Sequence, residues 1–171
     1  MTDALELRPA TPGDAHLVAE TVLEGFESFR DWAGPGWEPP PAERELEAVR
    51  EGLSRSGVWA VIALDGRRVA GHVSFTQARE RRPPRAEISG MAHLWQLFVR
   101  RPWWGSGLAG RLNAVAIEAA AARGYDCMRL HTPVGNARAR AFYEREGWTT
   151  NGVAIPEPSL GMDLLEYRHP L

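Results

Sequence analysis

Gly105-Ser106-Gly107-Leu108-Ala109-Gly110 stands between an apolar run, Leu94-Trp95-Gln96-Leu97-Phe98-Val99, and an alanine-rich segment that reaches Gly124. A glycine turn that opens a helix leaves several backbone N–H groups without intrahelical acceptors and sets the positive end of the helix dipole beside them. Phosphate and pyrophosphate bind such ends. The segment formally fits G-x-G-x-x-G. Dinucleotide binding, however, puts that pattern in an early β-α-β unit, with an acid closing the next strand about 20 residues on. Here the turn lies past mid-chain, the next strand ends in His131, and Asp126 opens that strand rather than closing it. No Lys-Ser/Thr pair follows the glycines, which excludes a P-loop. By itself the turn is also compatible with a plain strand–helix connection.

The elements around the turn are legible from periodicity. Leu5-Glu6-Leu7-Arg8 alternates as an opening strand. Thr11-Pro12-Gly13-Asp14 reads as a helix start, and Val18, Val22, Phe26 and Phe29 share one face of that helix. Trp32 to Pro41 is rich in glycine and proline and reads as a loop. A second helix carries Leu46, Val49 and Leu53 on one side. Val58 to Leu64 is an apolar strand, Asp65-Gly66 a hairpin turn, and the return strand places Val69, Gly71, Val73 and Phe75 on one face. Arg79 to Arg85 is a charged loop. The strand Leu94–Val99, the glycine turn and a helix with Leu108, Leu112, Val115 and Ala119 in register come next, with Gly124 as the stop. Cys127 to Thr132 is a strand, Asn136 caps a short helix ending at Gly147, and two strands come after it near Trp148–Val153 and Leu160–Tyr167. The order β-α-α-β-β-β-α-β-α-β-β predicts a mixed α/β fold with one strand–helix–strand crossover in the middle.

Composition narrows the class. The 171 residues suffice for one domain, read as 1–171, with 44% hydrophobic and 25% charged residues. A formal net charge of -2 gives no general attraction to nucleic acid or anionic membrane. One cysteine, Cys127, excludes a disulfide framework and reads as a small buried hydrophobe. The N-terminus lacks a basic-then-apolar signal and no apolar run approaches a membrane span, so a cytoplasmic protein is expected. The five histidines show no zinc-ligand spacing, and no metal is expected.

Val99-Arg100-Arg101-Pro102-Trp103-Trp104-Gly105-Ser106-Gly107-Leu108-Ala109 resembles the acyl-CoA-binding motif of the GNAT acetyltransferase superfamily, Gln/Arg-x-x-Gly-x-Gly/Ala after a strand. Gly107 and Ala109 match, and Trp104 replaces the usual Gln or Arg. A second segment, from Asn136 to Trp148, is similar to the family's Asn-x-x-Ala-x-x-Phe-Tyr-x-x-x-Gly-Phe, matching at Asn136, Ala139, Phe142, Tyr143 and Gly147. The resemblance implies a mostly antiparallel central sheet flanked by helices, with the β-α-β crossover carrying the CoA site. It implies an acyl-CoA-dependent N-acetyltransferase that moves an acetyl group from acetyl-CoA to a primary amine by direct attack in a ternary complex. The competing reading is a non-catalytic acyl-CoA-binding or interaction module on the same fold.

On the resemblance, Gly105, Ser106, Gly107, Leu108, Ala109 and Gly110 hold the pyrophosphate, and backbone groups of Leu97, Phe98 and Val99 hold the pantetheine arm. Asn136 adds a contact to CoA beside its capping role. Tyr143 is the proton donor to the departing thiolate and also touches CoA. The proton acceptor for the amine is expected among Glu87, His93, His72 and His131, with Glu87 preferred. The acceptor, a small-molecule or peptidyl amine, is expected near Phe26, Phe29, Trp32, Trp37, Trp59 and Trp95, with Trp32 and Trp37 facing it and Glu24, Glu27, Asp31 and Glu38 as possible attractors of an ammonium group. Neither nucleic acid nor membrane is implied as a partner, and monomer and homodimer are both open.

Overall fold

The computed structural model describes residues 5–171. One seven-stranded sheet has the spatial order β1-β2-β3-β4-β5-β7-β6. The strands are β1 (Glu6–Pro9), β2 (Trp59–Asp65), β3 (Arg68–Arg79), β4 (Glu87–Val99), β5 (Cys127–Pro133), β6 (Thr149–Glu157) and β7 (Met162–Pro170). The helices are α1 (Ala15–Glu27), α2 (Ala42–Ser54), α3 (Leu108–Ala122) and α4 (Ala137–Arg145). Every strand pairing is antiparallel except β4 with β5, which the α3 crossover joins in parallel. The mixed, mostly antiparallel sheet expected from the sequence is therefore present.

Local chemistry accounts for the element ends. Ahead of α1, Asp14 receives the Thr11 N–H at 2.8 Å and both Arg8 guanidinium nitrogens at 2.8 and 2.9 Å. That closes the Pro12–Asp14 turn and holds the Asp14 carboxyl well below the usual carboxylate range. In α4, Asn136 Oδ1 accepts the Ala139 N–H at 3.1 Å, as its capping position requires. The buried stripe of α3 is Leu108, Leu112, Ala116 and Ala120. It lies one residue beyond the expected Val115 and Ala119, which are half-buried at its edge. β4 begins at Glu87, seven residues before the alternating run at Leu94, because its first half is held by pairing with β3.

Two apolar clusters sandwich the sheet. Leu94, Leu108, Leu112, Leu130, Tyr143, Trp148 and Tyr167 belong to the cluster beneath α3 and α4, while Val18, Val22, Val49 and Ile62 form the one beneath α1 and α2. The β3–β4 register slips at Trp95: Phe75 faces Leu94, but Ser74 faces Gln96. This bulge lets Leu94 and Leu97 both join the α3-side cluster, which strict alternation forbids. Behind the last part of β4 runs Gly71 of β3, where a Cβ would come within 2.6 Å of the Phe98 carbonyl oxygen and 3.2 Å of Val99 Cα. Only a residue without a side chain fits that approach.

The feature that makes a site is the way β4 and β5 part. They pair only at Met91–Cys127, Ala92–Met128 and His93–Arg129. Beyond His93 the two strands diverge, and their facing backbone edges open into a cleft that ends at the glycine turn before α3.

Candidate active site

A cavity of about 880 Å³ fills the divergence, lined by Leu94–Val99 of β4, Leu130–Pro133 of β5, the turn before α3 and the inner face of α4. Which backbone groups reach it follows from the ladder. The Arg100 N–H bonds to Ala70 O at 2.9 Å, so Arg100 faces β3. In an antiparallel pair the facing direction alternates. Phe98, opposite His72, is thus turned to β3 as well, and Leu97 and Val99 present their N–H and C=O groups to the cleft. This corrects the expectation for Phe98. Its backbone serves the sheet, and its ring packs against Gly25 and, at 5.9 Å between centroids, Phe26.

At the cleft's end the turn exposes donors. Gly105 (φ +78°) and Gly107 (φ +82°) take left-handed conformations, and Gly107 is the residue from which α3 starts. The first intrahelical bond is Arg111 N–H to Gly107 O, so the N–H groups of Ala109 and Gly110 precede any helical acceptor. Gly105, Gly107, Leu108, Ala109 and Gly110 all line the cavity. Ser106 does not. Its hydroxyl donates to Trp103 O at 2.7 Å and accepts the Leu108 N–H at 3.3 Å, so it braces the turn from inside instead of facing a ligand.

Trp104, in the cleft wall, donates from Nε1 to the Val99 carbonyl at 2.6 Å. The Arg138 guanidinium carbon lies 3.4 Å from the indole centroid and that of Arg101 lies 4.8 Å away. Burial, and then Arg101 nearby, hold the Arg138 guanidinium below its usual pKa. Asn136 and Tyr143 line the same cavity. Tyr143 is buried among Phe142, Trp148 and Tyr167, and that burial pushes its phenol above the usual value near 10, so it stays protonated at neutral pH.

A strand pair that parts above a helix-opening glycine turn, with Asn136 and Tyr143 brought in by α4, coincides with a match to the model of the GNAT acetyltransferase family over residues 24–148. The chain belongs to the GNAT acetyltransferase family. Solved structures share the fold. An acetyltransferase from Thermus thermophilus superposes with TM-score 0.68 at 24% identity, covering 99% of each chain. The PaiA N-acetyltransferase of Thermoplasma acidophilum, in complex with coenzyme A, gives 0.72 at 16% identity over 99% of this chain and 100% of its own. A ribosomal-protein-alanine N-acetyltransferase from Brucella melitensis gives 0.73 at 20%, over 98% and 100%. No curated protein matches the sequence.

The other wall of this GNAT cleft is built from side chains. Trp32 lines the cavity and lies against Gly135, where a Cβ would meet its ring at 2.9 Å. Trp37 is turned away, its Nε1 donating to Leu160 O at 2.9 Å, so of the two loop tryptophans only Trp32 faces the cleft. Phe29 and Trp95 also line it, whereas Trp59 stacks on Phe75 in the core at 4.8 Å. The four acids expected to attract an ammonium group are each held by an arginine. Glu24 pairs with Arg100 at 2.6 Å, Glu27 and Glu38 with Arg30 at 2.8 and 2.7 Å, and Asp31 with Arg101 at 2.7 Å.

The four candidate proton acceptors are placed very differently. Glu87 sits at the far end of β4, paired with Arg79 at 2.6 Å and 60% exposed, and does not line the cavity. The preference for Glu87 is therefore corrected: nine residues of strand separate it from Gln96, roughly 30 Å. His72 is sealed beneath α1, its ring bridging Thr21 Oγ1 and Gln96 Oε1 (3.0 Å), and burial lowers its pKa to about 4. His93 on β4 is half-buried with its Nδ1 enclosed and does not line the cavity, and burial foremost lowers its pKa to about 3. Only His131 lines the cavity. No helix among the described residues is long and apolar enough to cross a membrane. No group of three or more His, Cys, Asp or Glu side chains among the described residues has the geometry to hold a metal.

Proposed function

We propose that residues 1–171 act as one acyl-CoA-dependent N-acetyltransferase domain, moving the acetyl group of acetyl-CoA to a primary amine by direct attack in a ternary complex. One observation carries the reading. The β4–β5 cleft runs from free donors on the α3 turn to a cavity bordered by Tyr143, so a thioester anchored by its phosphates lies along Leu97 and Val99 with its acyl end at the aromatic wall. Two proteins of the same fold support it: the Thermoplasma acidophilum protein is an N-acetyltransferase in complex with coenzyme A, and the Brucella melitensis protein is a ribosomal-protein-alanine N-acetyltransferase.

In this reading the pyrophosphate takes the N–H groups at Gly107, Ala109 and Gly110, each charge contact with the helix end being worth about 0.3–1 kcal/mol. Asn136 contributes to the same arm beside its cap. Arg138 and Arg101, stacked on Trp104, bring positive charge to the cradle where the motif usually has a Gln or Arg side chain. Trp104 itself occupies the Val99 carbonyl, so at that position only the N–H is left to the ligand. The amine nitrogen attacks the thioester carbon and the oxygen takes up the electron pair, stabilised by the Val99 N–H, an oxyanion contact of a kind worth about 3 kcal/mol. The C–S bond then breaks, and the sulfur receives the Tyr143 proton. A cytoplasmic setting is part of this reading, given the lone Cys127.

Isothermal calorimetry with acetyl-CoA, followed by a thiol-release assay over a panel of primary amines, tests it. Micromolar binding together with amine-dependent thiol release is expected. Absence of both overturns the reading, and binding without release on any amine leaves only the acyl-CoA-binding module.

A further inference from the structure

On β5, Met128 and Leu130 point into the cluster beneath α3 and α4, so His131 between them and Thr132 points to the opposite face, the one covered by the aromatic loop. There it borders the cavity with Trp32 and Gln96. Across the β5–β7 pair its register partner is Glu166, whose Oε2 lies 3.4 Å from His131 Nε2. That nitrogen is enclosed and makes no formed hydrogen bond, so the Glu166 carboxylate faces it at ion-pair distance only, while Arg168 holds the second Glu166 oxygen at 2.6 Å. A neutral imidazole beside a carboxylate carries its proton on the nitrogen facing the carboxylate. With Nε2–H toward Glu166, the lone pair is on Nδ1, to which no hydrogen bond runs among the described residues. Tyr143, the proton donor to sulfur, belongs to the α4 side, so the acceptor and donor of protons face the thioester from opposite walls of one cavity.

We infer that His131, oriented by Glu166, is the group that takes the proton from the acceptor amine. The inference rests on the N-acetyltransferase reading. The step balances: the alkylammonium gives one proton to Nδ1 and attacks as the free amine, the second N–H proton passes from the tetrahedral nitrogen to the Tyr143 oxygen that has protonated the sulfur, the ring becomes cationic beside Glu166, and the amide product leaves neutral. The groups around His131 set its resting state. Burial first, then Arg129 on its own strand and Arg81 from the β3–β4 loop, disfavour the charged ring, while Glu166 favours it. His93 on β4 lies 5.3 Å away between ring centroids and is itself kept neutral by burial. The ring therefore rests neutral at pH 7. Glu166 is a positioning residue.

The experiment joins pH-dependent kinetics to ring NMR, with benzylamine and spermidine as alkylamine probes and hydroxylamine as a nucleophile already largely unprotonated at pH 7. In His131→Gln, kcat/KM for the alkylamine falls by about 100-fold or more, the ordinary contribution of a general base, while hydroxylamine loses less than about tenfold. Acetyl-CoA affinity and the thermal midpoint stay close to wild type. Glu166→Gln removes the contact that favours the charged ring, so the acid limb of kcat/KM moves to lower pH. Nitrogen-15 spectra of the wild type show an Nε2–H ring at pH 7. Equal losses for both nucleophiles, an acid limb unmoved in Glu166→Gln, or an Nδ1–H or cationic ring at pH 7 overturn the assignment. Wild-type turnover with His131→Gln unaffected overturns this role alone. Wild-type protein that neither binds acetyl-CoA nor acetylates any amine overturns the acetyltransferase reading and this role with it.

Discussion

On the α3–α4 side of the cleft the cavity-facing surface is largely backbone: N–H groups at Gly107, Ala109 and Gly110 and the free edge at Leu97 and Val99. On the α1–α2 side it is side chains, with Phe29, Trp32, Trp95, Gln96 and His131 on the wall, His72 buried beneath α1 and His93 half-buried beside His131. The first wall is fixed by the ladder and by helix geometry, and tolerates most sequence changes that keep the two glycines. The second depends on which side chains happen to be there. On the proposed N-acetyltransferase reading, a shared donor with variable acceptors calls for this division, because hydrogen bonds from main chain persist while the opposite wall is rewritten.

The contrast breaks most sharply at Tyr143, the side chain on the backbone wall that the proposed reaction requires. Tyr143→Phe is expected to lower kcat about 100-fold or more while acetyl-CoA affinity holds within about twofold, measured by steady-state thiol release and calorimetry. An unchanged kcat removes Tyr143 from the chemistry.

The side-chain wall also carries a pH liability that the backbone wall lacks. His72 has a folded pKa of about 4, below the unfolded value near 6.5, so the unfolded chain binds the extra proton first. Stability is full above pH 6.5 and drains away as pH falls toward 4. Between pH 7 and pH 5 the loss from this one group is about 2 kcal/mol, and His93 adds to it in the same direction. Urea midpoints across that range check it, and a flat profile contradicts the buried neutral histidines.

Smaller effects sharpen the backbone side. Gly107→Ala forces a Cβ into φ +82°, where open space relieves no strain. A cost of about 1–2 kcal/mol in stability and a loss of about tenfold in acetyl-CoA affinity are expected by thermal melting and calorimetry. Smallest is Trp104→Phe, which keeps a ring for Arg138 but deletes the Nε1 bond to Val99 O. Acetyl-CoA binding should weaken by about threefold to tenfold, the worth of one hydrogen bond. An affinity gain instead means that the freed Val99 carbonyl serves the ligand better than the indole does.

The two walls were unequally visible in the sequence. The backbone wall was legible because it is local. Thr11 to Asp14, the glycine turn, the α3 stripe and Asn136 each declare themselves within a few residues, and the crossover order fixes where they meet. The exceptions there, Phe98 and Ser106, turn on which way a given N–H or hydroxyl points, and a spacing rule does not carry that. The side-chain wall is made by pairings distant in sequence. Nothing near His131 announces Glu166, 35 positions on, until β5 and β7 are known to be neighbours in that register. Glu87 drew attention by being close upstream of the central strand, yet β4 is long enough to carry it out of the site. The four acids lost their candidacy to arginine partners, and Arg138, which lines the cavity, shares with Arg101 a contact to Trp104 that no spacing rule announces.

Gly71 touches no part of the cleft, yet it is the floor against which the Val99 peptide rests. A methyl group there has nowhere to go but through the strand in front of it. Displacing that strand by a few tenths of an ångström would tilt the Val99 N–H relative to any oxygen it is meant to meet, and reaction rates respond to misplacements of that order. Selection on the reaction thus reaches one layer deeper than any map of ligand contacts, and drift at position 71 would show as lost turnover in a protein whose every binding residue is intact.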